Sequence, residues 1–137
     1  MSDGVLVAWD PSAAADRALA WAARYVSERG GKLVVAHVMV PAVPMAFEIG
    51  PVPISDAQIE AVKQLIREAA AKHGAAAQPE VMVAMSIAGG VVRAAEEHAA
   101  ALVCVGHGRG ALASFVLGSV AQEVVRSCPV PVVVCRG

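Results

Sequence analysis

Five short apolar runs, none of them alternating cleanly with polar residues, set the tightest limit on how this chain can fold. They are "GVLVAW" (4–9), "KLVVAHVMV" (32–40), "EVMVAMSI" (80–87), "ALVCVG" (101–106) and "PVVVC" (131–135). A strand with one wet face alternates, whereas a uniform run is covered on both faces, as in a parallel sheet between helices. The intervening segments supply those helices. Ser12 is a candidate N-cap, and Ala15, Ala18, Leu19, Ala22, Tyr25 and Val26 follow at helical spacing until Gly30-Gly31 stops the run. Ser55 and Gln58 make a capping box before Ile59, Val62, Ile66 and Ala69, with Gly74 as the stop. A third helix is predicted over 90–99, with Val91, Ala94, Ala95 and His98 on one stripe. A fourth is predicted over 120–127, with Ser119 as N-cap and Gln122 three residues on. Pro41, Pro44, Pro51 and Pro53 make the segment 41–54 a surface loop.

Strands that alternate with helices at this spacing imply right-handed crossovers and an α/β fold, a doubly wound open sheet of five parallel strands with helices on both faces. Pro131 has no N–H for a ladder, which places the last strand at an edge. Ligands of such sheets gather beyond the C-terminal ends of the strands. A length of 137 residues fits one domain, 1–137.

Composition narrows the function. The chain is 57% hydrophobic, with alanine and valine far ahead of aromatic residues, which favours close packing of helix on sheet. A net charge of -1 with scattered charges argues against a nucleic-acid partner. The apolar runs are too short to span a bilayer, and "MSDGVLVAWD" lacks the basic start of a secretory signal, so no membrane insertion and a cytoplasmic location are expected. Cys104, Cys128 and Cys135 form no CxxC pair, and His37, His73, His98 and His107 are too widely spread for a local metal site, so none is expected. A thiol buried in a strand, as Cys104 would be, is poorly reactive.

The stretch "VGHGRGALASFVLGSVAQ" (105–122) carries the chemistry. Gly106, Gly108 and Gly110 follow the fourth apolar run, where glycine permits a sharp turn and lets backbone N–H groups approach a ligand. Gly118-Ser119 then opens a helix, whose free amides and positive dipole end suit an anion such as phosphate. His107 and Arg109 are the side chains of the turn able to meet phosphate charge directly. The same residues also make an ordinary turn and a capped helix with no ligand. No GxxxxGK[ST] is present, and "GHGRG" follows the fourth run rather than the first, so neither a P-loop nor a dinucleotide fingerprint fits.

"VLVAWDPSAAADRALAWAA", "LVVAHV" and "GHGRGALASFVLGSVAQEVVRSCPVPVVV" together resemble the universal stress protein family over nearly the whole chain. The resemblance implies an adenine-nucleotide alpha-hydrolase-like fold with strand order 3-2-1-4-5. Members that bind ATP carry G-x2-G-x9-G-[ST]; Gly108 and Gly118-Ser119 reproduce the second half, while only His107 separates Gly106 from Gly108, one residue short of the first half. By the same comparison, Ala8, Trp9 and Val38 match positions around adenine, and Asp10 matches the acid facing adenine and ribose. Val105 borders the ribose. Gly106, Gly108, Gly118 and Ser119 match the phosphate loop, with Val120 and Ala121 offering the next amides. The family has Gly where this chain has Pro11, and Asp where it has Ala101. The implied function is a stress-response regulatory module that binds ATP, or AMP or ADP, with Mg²⁺ as a companion. It would form a homodimer through the strand from Pro131 to Cys135 and act on an unidentified protein partner. The alternative is a nucleotide-free, dimeric protein-interaction module. The turn holds no carboxylate to act as a base, so no catalytic residue is assigned and at most slow ATP hydrolysis is expected.

Overall fold

A computed structural model describes residues 4–42, 53–107 and 118–136. The chain alternates β1 (Val5–Ala8), α1 (Ala13–Arg29), β2 (Leu33–Met39), α2 (Asp56–Lys72), β3 (Gln78–Val83), α3 (Ile87–Glu97), β4 (Leu102–Gly106), α4 (Ser119–Ser127) and β5 (Val132–Cys135). The five strands form one sheet in the order β3-β2-β1-β4-β5, with every pairing parallel. The doubly wound five-stranded sheet expected from the apolar runs is therefore the observed fold, with β5 at an edge.

Alternation along each strand divides the core in two. Leu6, Val34, Ala36 and Val103 turn to one face and meet Val91, Ala94 and Ala95 of α3 and Val124 of α4. Val5, Val7, Val35 and Cys104 turn to the other, against Ala15, Ala18, Leu19 and Ala22 of α1 and Ile66 of α2. Because β1 is covered by both layers, Val5, Leu6 and Val7 are fully buried. Each such side chain contributes about 1.5–3 kcal/mol of transfer free energy.

The helix boundaries follow their caps. Ser12 Oγ accepts from Ala15 N at 3.1 Å, and Gly30 closes α1 at φ +79°, a conformation that suits glycine. Both bonds of the Ser55–Gln58 capping box are present. His73 caps the end of α2, and Gly74 follows it at φ +68°.

Three expectations need correction. The third strand runs over Gln78–Val83 rather than 80–87, and α3 begins at Ile87 rather than at 90, because Ser86 caps it with a 3.0 Å bond from Gly89 N. The apolar residues after Val83 looked like strand, but the side-chain cap ends the extended run. Gly89 and Gly90 then lie inside the helix. A Cβ on Gly90 would come within 2.6 Å of the Val38 methyls, so the glycine lets α3 close on β2. His98 does not continue the buried stripe of α3; it caps the helix and bonds Glu80 of β3 at 3.1 Å. The N-cap of α4 is Gly118 and not Ser119, which is the first helical residue and makes no side-chain cap bond.

Candidate functional site

Parallel strands leave their C-terminal ends at one rim, and here β1, β2 and β4 end around a cavity of about 200 Å³. Its apolar lining includes Ala8, Ala36, Val38 and Val105 from the strands and Val91 from α3. The N-terminal turns of two helices complete it: Ala14 and Ala15 of α1, and Val120 and Ala121 of α4. The polar part of the rim is the turn from β1 into α1. Asp10 is exposed, and its Oδ1 accepts from Ser12 N at 3.1 Å, an Asx-type turn. Asp10 also lines the cavity.

Trp9 and His37 close the rim between β1 and β2. The Trp9 amide donates to Ala36 O at 2.8 Å, extending the ladder one residue beyond β1. The indole turns away from the aliphatic floor and packs in the core beneath α1 and α2, where its Nε1 has no hydrogen-bond partner. Trp9 and Ser12 also border a second cavity, shared with Leu65, Glu68 and Lys72 of α2. His37 lines the first cavity and bonds the Trp9 carbonyl through Nδ1 at 2.8 Å.

The turn after β4 begins under tight packing. A Cβ on Gly106 would overlap the backbone carbonyl of Ala14, so this glycine is required by the approach of α1 to the end of β4. His107 is buried; its amide donates to Cys135 O at 2.8 Å, and its carbonyl accepts from Arg17 at 3.4 Å. The turn is thereby tied to β5 on one side and α1 on the other. Beyond it, Gly108 and Arg109 lie outside the described residues, as does most of the proline-rich loop. Across the cavity Gly118 takes φ -62°, and nothing lies within 4 Å of where its Cβ would stand. Packing therefore does not require glycine at 118, in contrast to 106. The amides at the start of α4 have no partners within the helix, as at any helix N-terminus.

Of the residues singled out in the sequence, Ala8, Trp9, Asp10, Val38, Val105, Gly106, Val120 and Ala121 border this one cavity. Ser119 lines a neighbouring groove between α3 and α4, with Ser86 and Gly89. Sequence reasoning missed His37, Ser12, Ile87 and Val91 as lining residues. In sequence Ser12 signals only a cap, Ile87 a strand and Val91 a core stripe. His37 carried one visible signal, a polar residue inside an otherwise apolar run.

Cys104 is fully buried on the α1/α2 face, and burial, with the Cys135 thiol nearby, pushes its own thiol far above the usual range. Burial also raises Cys135, against the opposing pull of Arg17. Neither thiol faces the cavity. Among the described residues, no helix is long and apolar enough to cross a membrane.

The model of the universal stress protein family matches residues 1–136. The chain is 32% identical over 145 residues to a universal stress protein of Mycolicibacterium smegmatis, an alignment that covers 98% of this chain and 48% of that protein. It is 30% identical over 133 residues to a universal stress protein of Thermus aquaticus, covering 96% and 97% of the two. The chain thus spans about half the length of the first relative and nearly all of the second. Among solved structures, the universal stress protein of Archaeoglobus fulgidus in complex with dAMP superposes with a TM-score of 0.70 at 22% identity, covering 98% of this chain and 97% of that one. A universal stress protein in complex with cAMP gives 0.71 at 23%, with the same coverage.

Proposed function

The chain belongs to the universal stress protein family, and from that premise we propose that it is a regulatory module binding an adenine nucleotide in the cavity at the ends of β1, β2 and β4. The observation that carries the reading is the composition of that cavity. An aliphatic slot of Ala8, Ala36, Val38, Val91 and Val105 offers a flat base apolar contact, and Asp10 at its rim offers a carboxylate to ribose hydroxyls. The opening turn of α4, with Gly118, Ser119, Val120 and Ala121, then supplies amides and a positive dipole end for phosphate. Two universal stress proteins of the same fold are known in complex with dAMP and with cAMP. ATP is the nucleotide the Gly108-x9-Gly118-Ser119 spacing favours, with AMP or ADP as weaker occupants and Mg²⁺ accompanying a triphosphate. His107, with its side chain buried and its amide engaged by Cys135 O, serves by anchoring the turn rather than by meeting the ligand, and Arg109 is the candidate cation of the turn.

The module works as a homodimer through β5 and signals to a protein partner in the cytoplasm. Support for the dimer lies in the sheet edges. β5 presents Val132, Val133, Val134 and Cys135, all half-buried and uncharged, whereas the opposite edge strand, β3, carries Pro79.

One observation favours the nucleotide-free alternative: Gly106 is accounted for by α1 packing, so that glycine needs no ligand to explain it. Calorimetric titration of nucleotide-stripped protein with ATP, ADP and AMP, with and without Mg²⁺, separates the two. Micromolar binding that Asp10→Ala weakens about tenfold supports the nucleotide module. No heat of binding up to millimolar nucleotide would leave the protein-interaction reading standing.

A further inference from the structure

The cavity at the rim has two facing walls, and their separation is set by a residue that stands outside it. Ala8, Ala36 and Val38 form the wall on the sheet, and Ile87 and Val91 of α3, which packs on the same sheet face, form the wall opposite. At about 200 Å³ the space is smaller than the roughly 300–1,000 Å³ that encloses a whole drug-sized ligand. It has room for the base of a nucleotide and leaves sugar and phosphate at the rim.

The two walls come together where Gly90 meets Val38. Gly90 is buried in the turn of α3 between Ile87 and Val91, yet it does not line the cavity. A Cβ at this position would come within 2.6 Å of both Val38 methyls and 3.2 Å of Val38 Cβ. A change of rotamer gives no relief. The staggered wells of valine are about 120° apart, and two methyls must fill two of the three γ positions. A carbon seated between two of those positions therefore always meets at least one methyl. A side chain at 90 must displace either α3 or the end of β2, and each is a wall of the cavity. Removing the Val38 methyls leaves only the 3.2 Å approach between the two Cβ atoms, which a shift of a few tenths of an ångström relieves.

From this geometry we infer that Gly90 is the positioning residue for the base: by letting α3 close on Val38 it fixes the width of the slot, and through that width the affinity for adenine nucleotides, without touching the ligand. The inference rests on the adenine-nucleotide reading above and adds to it the residue that sets the base slot. Because the effect belongs to the base, it is the same for mono-, di- and triphosphate.

The test is a double-mutant cycle of Gly90→Ala, Val38→Ala and the double variant, titrated with AMP, ADP and ATP, with thermal unfolding run alongside. Alanine is a better helix former than glycine, so the first substitution does not weaken α3 itself. Gly90→Ala is expected to lower AMP affinity about fivefold or more, by the same factor for ADP and ATP, and the double variant to bind AMP within about twofold of Val38→Ala alone. That rescue is the readout a purely structural glycine would not give. Folded Gly90→Ala with wild-type AMP affinity, losses that multiply in the double variant, or a loss that grows with the number of phosphates would each overturn the assignment and leave the nucleotide site intact. Should Gly90→Ala not fold, Val38→Ala and the double variant decide alone: equal AMP affinity supports the inference, and a further loss on adding alanine at 90 overturns it. Failure of AMP to bind the wild type would overturn the nucleotide reading and the Gly90 assignment with it.

Discussion

A methyl group added at Gly106 would enter the space of the Ala14 carbonyl, and backbone cannot yield as a side-chain tip can. Gly106→Ala is therefore expected to lower stability by about 1–3 kcal/mol in urea denaturation, whether or not nucleotide is present. Gly118→Val should behave in the opposite way: φ -62° is ordinary for valine and the space is open, so stability should hold while the branched side chain blocks approach to the α4 amides. A fall of at least tenfold in nucleotide affinity with unfolding unchanged is the expected result. These glycines look alike in sequence because spacing carries no information about what stands above each Cα. Cys104 makes a third case. Its thiol is buried and its ionisation is pushed up, so the reactive thiolate stays scarce until the pH rises well above 9, where an ordinary thiol ionises. Iodoacetamide should label it far more slowly than a free thiol throughout pH 7–9, and fast labelling at pH 8 would contradict the packing of β4.

At the level of elements, caps decided more than hydrophobic pattern did. The first two helices were legible because Ser12 and Ser55 stand directly before runs of clear helical period. The β3–α3 junction was not, since "MVAMSIAGG" offers both Ser86 and the Gly89-Gly90 pair as boundaries, and the helix starts after the serine while the glycines lie inside it. Ser86→Ala is expected to cost about 0.5–2 kcal/mol and to fray the start of α3, visible as faster amide exchange at Ala88 and Gly89. The site was legible in part for a related reason. Residues at strand ends converge in any sheet of this order, so Ala8, Val38 and Val105, singled out by the family resemblance, meet at one rim. Ile87 and Val91 enter the cavity because Gly90 lets α3 press on Val38, a contact between distant segments that no local pattern reports.

For the molecule as a whole, the two sheet edges differ in how they are guarded. Pro131 O accepts from Val103 of β4 and Cys135 O from His107 just beyond it, so the alternate residues Val132 and Val134 direct their amides to the free edge of β5. Val134→Pro removes one outward N–H without touching the β4 ladder. If two copies pair through β5, sedimentation should show a dimer in the wild type and a monomer in the variant, with far-UV circular dichroism retained. The α1/α2 face and the α3/α4 face each bury a separate apolar layer on the same sheet, so a ligand seated at the rim would touch both. That position suits a module that reports occupancy to a partner. The measurement that tests this account most directly is a titration of ¹⁵N-labelled protein with AMP, followed residue by residue. The account predicts that the amides of Asp10, Val38, Gly118 and Val120 move together and saturably, while those along β3 stay still. Shifts confined to another face, or none at millimolar AMP, would contradict it.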